Sequence, residues 1–249
     1  GVFYFLARRF LSKNEKLNIK EPVLISERAK KGIKLDSILV GTFIIFHVGF
    51  RFVGASAEIA LNGNDWFQPG ATVLASLWTG LEQDNLVLLE HLSWWISLGL
   101  IMAFFPYFPY SKHAHLFMGP LNYMASVDRR SPSTLEIMDL EDESVEQFGA
   151  GKIEHLPQKE ILDAYACIMC NRCQDVCPAY QTGKELSPAA LEINKRYYLN
   201  DNLKDFSEGS SSLDSLSKWM LSEEAAWSCT TCGFCVDTCP VGNEPMVDI

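Results

Sequence analysis

Cys167-Ile168-Met169-Cys170-Asn171-Arg172-Cys173-Gln174-Asp175-Val176-Cys177-Pro178 and Cys229-Thr230-Thr231-Cys232-Gly233-Phe234-Cys235-Val236-Asp237-Thr238-Cys239-Pro240 decide how this chain folds. Each stretch is C-x-x-C-x-x-C-x-x-x-C-P, and together they use all 8 cysteines. The close triplet lets three thiolates of one loop reach three irons of a cubane cluster. The fourth cysteine, at the start of a departing segment, reaches the other cube. The spacing therefore assigns Cys167, Cys170, Cys173 and Cys239 to one [4Fe-4S] cluster, and Cys229, Cys232, Cys235 and Cys177 to a second. Zinc sites take their four ligands in two pairs rather than as a triplet plus one. Disulfides are disfavoured in the cytoplasm, where the charge argument below places these residues.

The sequence between the two motifs reads as helical. Ser187-Pro188 is a helix N-cap followed by proline at the first helical position. Leu191, Ile193, Tyr197 and Tyr198 follow at helical spacing. Asp201 to Ser212 reads as a polar loop, and Leu213, Leu216 and Met220 as a second helical face. A short helix after Pro157, with Ile161, Leu162 and Tyr165 as its apolar positions, leads into the first motif. Residues 157–249 are thus expected to form an α-helical ferredoxin-like domain with two clusters. No Gly-rich phosphate loop in the right context accompanies it, so no nucleotide site is expected.

Upstream, the composition changes. The chain has 249 residues, 21 Lys+Arg against 31 Asp+Glu and a net charge of −10, which argues against a nucleic-acid partner. Its 48% hydrophobic and 12% aromatic content excludes a disordered tail. From Leu35 to Tyr110 the one basic residue is Arg51. Ile38–Gly54 and Leu92–Tyr110 are each about long enough to span a bilayer, which takes about 20 residues. The second is too apolar all round for an ordinary half-buried helix. Arg8, Arg9, Lys13, Lys16, Lys20, Arg28, Lys30, Lys31 and Lys34 precede the first span; Lys112, Arg129 and Arg130 follow the second. The connection 55–85 has no basic residue, so both flanks are expected in the cytoplasm and the connection outside. Trp66–Leu81 is too short for a third span and is read as lying in the outer interface, anchored by Trp66 and Trp78.

The expected organisation is then the following. Residues 1–34 hold the end of a membrane helix and a basic cytoplasmic segment. Residues 35–115 are a two-span membrane domain, 116–156 a cytoplasmic linker and 157–249 the cluster domain. The fold class is mainly α, in a multi-pass protein of the inner membrane. The chain opens without Met inside an apolar run, Val2–Ala7, too short to cross a bilayer. That run reads as the end of a longer helix, with a short amphipathic anchor as the alternative. The acidic run 136–146, after Ser131-Pro132-Ser133, reads as an exposed linker.

Histidine is costly in lipid and marks function by default. His47 and Arg51 share a helix face. Arg51 faces either a haem propionate or Glu90, or else snorkels to the outer interface. His91 lies on the second span, and His113 and His115 lie just past its inner end. Read as one continuous helix, His91 and His115 stand about 36 Å apart, so one haem cannot take both. His115 is expected at an inner haem or quinone site, and His47 with His91 at an outer one. The bland alternative for His113 and His115 is that they face the headgroups.

Two stretches carry a family resemblance. Pro109-Tyr110-Ser111-Lys112-His113-Ala114-His115 with Pro120-Leu121-Asn122 resembles the end of the last membrane helix of nitrate-reductase-gamma-like cytochrome b domains. Cys167–Tyr180 with Thr182-Gly183-Lys184 and Leu186-Ser187-Pro188 resembles the iron–sulfur part of heterodisulfide-reductase-related proteins. Fused, they resemble membrane-bound iron–sulfur oxidoreductases of the electron-transfer-flavoprotein:quinone type. That resemblance implies two [4Fe-4S] clusters, haem b, and menaquinone or another quinone as substrate. It also implies membrane lipid and a soluble donor such as electron-transfer flavoprotein, or a catalytic domain outside this chain, as partners. Two departures stand out. The family usually continues into a domain with paired-cysteine motifs, whereas this chain stops at Ile249, so a fragment is expected. The family's haem helix usually has a histidine two residues after paired tryptophans, whereas Trp94-Trp95 is followed here by Ile96 and Ser97. The alternatives are a quinol-linked heterodisulfide or thiol–disulfide reductase subunit, and a non-catalytic subunit that wires one respiratory complex to another.

Overall fold

The computed structural model describes residues 1–12, 14–126, 135, 139–144, 148–212 and 214–249, with the side chain of Glu15 left aside. Lys13, Arg129, Arg130, Ser131-Pro132-Ser133, Leu213 and much of the acidic run 136–146 lie outside the described residues. Among the described residues the regular structure is helical, with no strand. The helices are α1 (Val2–Phe10), α2 (Glu27–Asn62), α3 (Pro69–Ala75), α4 (Gln83–Phe104), α5 (His115–Ala125), α6 (Gln158–Ala166), α7 (Arg172–Asp175), α8 (Pro178–Gln181), α9 (Pro188–Asp201), α10 (Leu203–Ser207), α11 (Leu216–Trp219), α12 (Glu223–Trp227), α13 (Phe234–Asp237) and α14 (Pro245–Asp248). They fall into two compact units. One comprises Gly1–Leu11 and Leu35–Ser111; the other comprises Ser12–Lys34 and Lys112–Ile249.

In the first unit, α2 and α4 are long and apolar enough to cross a membrane, and only 17% of each apolar window is buried. A core helix of a soluble protein would hide most of that window. Here Phe46, Val48, Leu88, Leu92, Trp95 and Met102 point outward, while the α2–α4 seam is small and polar. Ser93 and Ser97, one turn apart, are buried in it. A Cβ on Gly54 would come within 3.2 Å of the Ser93 Cβ. The Ser97 hydroxyl donates to the His47 carbonyl at 3.2 Å. Small residues let helix backbones approach closely where lipid gives no hydrophobic drive. Trp78 Nε1 donates to the buried Ser56 hydroxyl at 2.8 Å, and Tyr107 donates to Asp36 at 2.8 Å. The second apolar run is not helical throughout: α4 starts at Gln83 and stops at Phe104, and the chain then turns through Phe108–Tyr110. Pro106 has no N–H to continue the helix and Pro109 follows it. His91 and His115 are therefore not on one helix, and the 36 Å rise does not describe their separation.

In the second unit, α9 is the central element. The Ser187 hydroxyl accepts from Ala190 N at 3.2 Å and Pro188 opens the helix. Leu191 and Ile193 are buried, with Ala164, Tyr180, Leu186, Leu216 and Met220 in the surrounding core. The stretch read as a polar loop is partly helical, since α9 runs on to Asp201 and α10 follows. Residues 12–34 pack into this unit: Asn194 Nδ2 donates to the Leu24 carbonyl, and Ser26 N donates to Asn194 Oδ1.

Helix α5 is tied to the end of the second cysteine motif by one amide. Asn122 Nδ2, fully buried, faces Asp163 Oδ1 at 2.6 Å, the Val241 carbonyl at 3.0 Å and Asn243 Oδ1 at 3.2 Å. Asn122→Ala is expected to destabilise the unit by about 1–3 kcal/mol, because it leaves buried acceptors without their donor. Denaturant melts of the two proteins check this.

Candidate metal centre

The two cysteine loops share a local conformation. Met169 and Asn171 in the first, and Thr231 and Gly233 in the second, have φ of 55°, 63°, 48° and 76°. These are matching positions: the residue before the second cysteine and the residue after it. Left-handed backbone there costs energy for every residue except glycine, so it repeats because the loop must curl. The curl turns backbone N–H groups onto sulfur. Met169 N donates to Cys167 Sγ and Thr231 N to Cys229 Sγ, both at 3.4 Å. Asn243 N donates to Cys239 Sγ, also at 3.4 Å.

The thiols gather in two groups. Burial pushes Cys173 well above its ordinary range, and the neighbouring Cys167, Cys239 and Cys170 push it further. Burial likewise pushes Cys235 up to about 12, with Cys177, Cys229 and Cys232 as its neighbours. Cys177, Cys229, Cys232 and Cys235 line one small cavity, walled by Leu186, Pro188 and Met246. All eight cysteines are free. Among the described residues no three His, Cys, Asp or Glu side chains close around a single ion. Thiols held above their ordinary range by burial, on loops that aim N–H groups at sulfur, suit a cluster that brings its own positive charge. Each group has the donor set for one [4Fe-4S] cluster.

The segment 12–34 lies over the first loop. Asn171 Nδ2 donates to the Lys16 carbonyl at 3.3 Å and Gln174 Nε2 to the Asn18 carbonyl at 3.1 Å. Ser187 Oγ donates to Gln174 Oε1 at 2.9 Å, so the start of α9 holds the same side chain.

Sequence reading missed the buried charges beside this group. Glu160 and Asp163 of α6 face inward, while Ile161, Leu162 and Tyr165 are only half-buried. On α9, Glu192, Lys195 and Arg196 are buried. Lys195 Nζ lies 2.5 Å from Asp248 Oδ2 and 3.3 Å from Glu192 Oε2, and donates to the Glu160 carbonyl at 2.7 Å. Burial raises the pKa of Glu192 and Asp248. For Lys195, burial pulls downward, but Asp248, Glu192 and Asp163 together raise it. Glu160 is pushed up to about 7 from 4.5, chiefly by burial and next by Asp248. A carboxyl whose folded pKa exceeds its unfolded one stabilises below the unfolded value, and that contribution is lost as pH rises through the folded value. Stability of the unit should therefore fall as pH rises from about 5 to 7, and Glu160→Gln should flatten that slope. Melts at a series of pH values check it.

The histidines are dispersed. His91 lines a cavity of about 270 Å³ in the first unit with Arg51, Glu58, Glu90 and Trp94. Its Nδ1 is 2.8 Å from the Val87 carbonyl. His47 is not among the residues lining that cavity; its Nδ1 lies 3.2 Å from the Ser97 carbonyl. His113 and His115, in the second unit, have ring centroids 6.1 Å apart, and His115 Nδ1 donates to the Lys112 carbonyl at 2.6 Å.

Residues 163–243 match the family of 4Fe-4S dicluster domains. The chain carries an iron–sulfur domain. It is 33% identical to the probable iron-sulfur-binding oxidoreductase FadF of Bacillus subtilis, over 87% of this chain and 35% of that protein. It is 28% identical to the EtfAB:quinone oxidoreductase of Syntrophomonas wolfei, over 73% of this chain and 28% of that one. A probable membrane-anchored ferredoxin of Chromohalobacter salexigens is 27% identical over 44% of this chain and 19% of its own length. The chain thus spans about a third of the length of FadF and less of the other two. By name these relatives are an iron–sulfur-binding oxidoreductase, a quinone oxidoreductase and a ferredoxin, and this chain is homologous to them. No solved structure gives a significant match.

Proposed function

We propose that this chain is the membrane-anchoring and iron–sulfur part of an oxidoreductase that carries electrons from a soluble donor, of electron-transfer-flavoprotein type, to the quinone pool. The observation that carries this reading is the presence of two gathered thiol quartets and two long apolar helices in one chain. Similarity to a relative named for that donor and quinone supports it. Each [4Fe-4S] cluster, when bound, exchanges single electrons. The protein's part is to hold it: Cys167, Cys170, Cys173 and Cys239 for one, Cys177, Cys229, Cys232 and Cys235 for the other. Backbone N–H groups at sulfur and the apolar walls then tune potential and exclude water. All eight cysteines of this chain are assigned in this way.

Haem b is left out of the proposed path: His91 lines the cavity with Arg51 and Glu90, and His47 is not among the residues lining it. The quinone site is proposed near His113 and His115. Full-length protein in proteoliposomes should reduce a short-chain menaquinone when supplied with reduced electron-transfer flavoprotein, and His115→Ala should lower that rate. A full-length protein that reduces a disulfide instead would favour the reductase alternative.

The two helices are proposed to cross the inner membrane with the cluster domain in the cytoplasm. Asn64→Cys is the better topology probe than Gly63, whose φ of +101° strains any side chain. Its thiol should be labelled in right-side-out vesicles without permeabilisation; labelling only afterwards reverses the orientation.

A further inference from the structure

Matched to the cysteine motifs, the two halves of the iron–sulfur unit differ in one respect. Before Cys167, Ile161, Leu162 and Tyr165 are half-buried: Ile161 and Tyr165 pack on the core, and Tyr165 donates to Asn200 at 3.1 Å. The matching positions before Cys229 hold Glu223, Glu224 and Trp227, all exposed, with Trp227 at 84%. Phe234, beside Cys235, is 53% exposed, and Asp237, one turn on, is exposed as well. Thr230, also exposed, lies on the rim of the cavity that holds Cys177, Cys229, Cys232 and Cys235. An exposed indole thus precedes the lining residues Cys229 and Thr230, and an exposed phenyl ring stands between the lining residues Gly233 and Cys235, on two short helices that carry acidic residues and no basic one.

We propose that this face of α12 and α13 is where the soluble electron donor docks, and that the donor's complementary face is an apolar patch ringed by Lys and Arg. The proposal rests on the donor reading above and adds where that donor binds. Exposed aromatic anchors concentrate binding energy. Opposed charges steer short-lived encounters, and electron-transfer interfaces are small enough for one such patch to serve. The same acids repel an anionic membrane surface, which draws basic segments. Each productive encounter oxidises the donor by one electron and reduces the protein by one; no bond forms or breaks.

The test uses cluster-loaded full-length protein in nanodiscs and the electron-transfer flavoprotein of the same organism as the probe. Binding is measured by surface plasmon resonance at several salt concentrations. Trp227→Ala is expected to weaken binding about tenfold or more. Glu223→Lys with Glu224→Lys should do the same and flatten the salt dependence. Iron content and viologen-driven quinone reduction should be unchanged in Trp227→Ala. Unchanged binding in both variants, or no binding by the parent protein, overturns the docking face while viologen-driven quinone reduction still stands. Loss of quinone reduction by the parent defeats the quinone reading, and the binding series still decides the docking face. Quenching of Trp227 by brominated phospholipid, read as the difference from Trp227→Phe, would place it on lipid and overturn the proposal.

Discussion

Replacing Cys177 by serine in the full-length protein should empty the site of Cys229, Cys232 and Cys235 and spare the one formed by its own sequence neighbours. Cys177 stands only four residues after Cys173, yet its thiol lies with Cys232 and Cys229, against which burial and repulsion set it. Cys173 lies instead with Cys167, Cys239 and Cys170. Backbone N–H groups of Ala179 and Tyr180 face the Cys177 sulfur, as those of Val241 and Asn243 face Cys239. The departing helix α8 thus delivers a prepared ligand to the opposite group. Anaerobically purified protein should lose about four irons relative to the parent. The lost electron paramagnetic resonance signal should be the one that Cys232→Ser also removes. A Cys177→Ser protein that lost the same signal as Cys170→Ser would overturn the crossed assignment.

How far the sequence was legible depended on whether covalent spacing or packing set the outcome. A cysteine triplet at fixed spacing can close only on itself, so spacing alone implies which thiols gather. The Ser187-Pro188 start of α9 is equally local: its cap hydroxyl and its proline are read directly from adjacent residues. The two apolar helices were visible in composition, but the second span was read from Leu92 to Tyr110, whereas α4 starts earlier, at Gln83, and stops earlier, at Phe104. Leu92–Tyr110 counts apolar residues without weighing Pro106 and Pro109, whereas backbone hydrogen bonding stops there whatever the hydropathy.

The buried charges were not legible. Glu192 and Lys195 three residues apart on a helix look like an ordinary solvated pair. Only the packing of α6 and α14 around α9, set by residues far apart in the chain, turns that face inward. The same holds for Ile161, Leu162 and Tyr165, whose spacing names an apolar face although Glu160 and Asp163 occupy the deeper one. The strap 12–34 was read as a basic segment from its charge. Its role in the second unit depends on main-chain carbonyls at Lys16 and Asn18, which no side-chain pattern advertises.

Lys195→Met should be among the most destabilising single changes in the iron–sulfur unit. The ammonium is the one cation within reach of both Glu192 and Asp248 in the described ion pairs, and all three side chains are buried. Removing one partner of a buried ionic group typically costs about 3–5 kcal/mol, because the remaining charge is stranded in a poorly polarisable interior. Here the stranded groups are two buried carboxyls, Glu192 and Asp248, that lie against each other. They would answer by taking up protons, so the variant's deficit should shrink as pH falls. A loss of that size is expected to lower the melting temperature of a domain this large by roughly 10 °C or more. The triple change Lys195→Met with Glu192→Gln and Asp248→Asn should recover much of it, since it removes the charges together with their counter-ion. If Lys195→Met alone melted within a degree or two of the parent, the ionic network would not be holding α9 and α14 together. The orientation of the first thiol group would then have to rest on the Asn122–Asp163–Asn243 amide network instead.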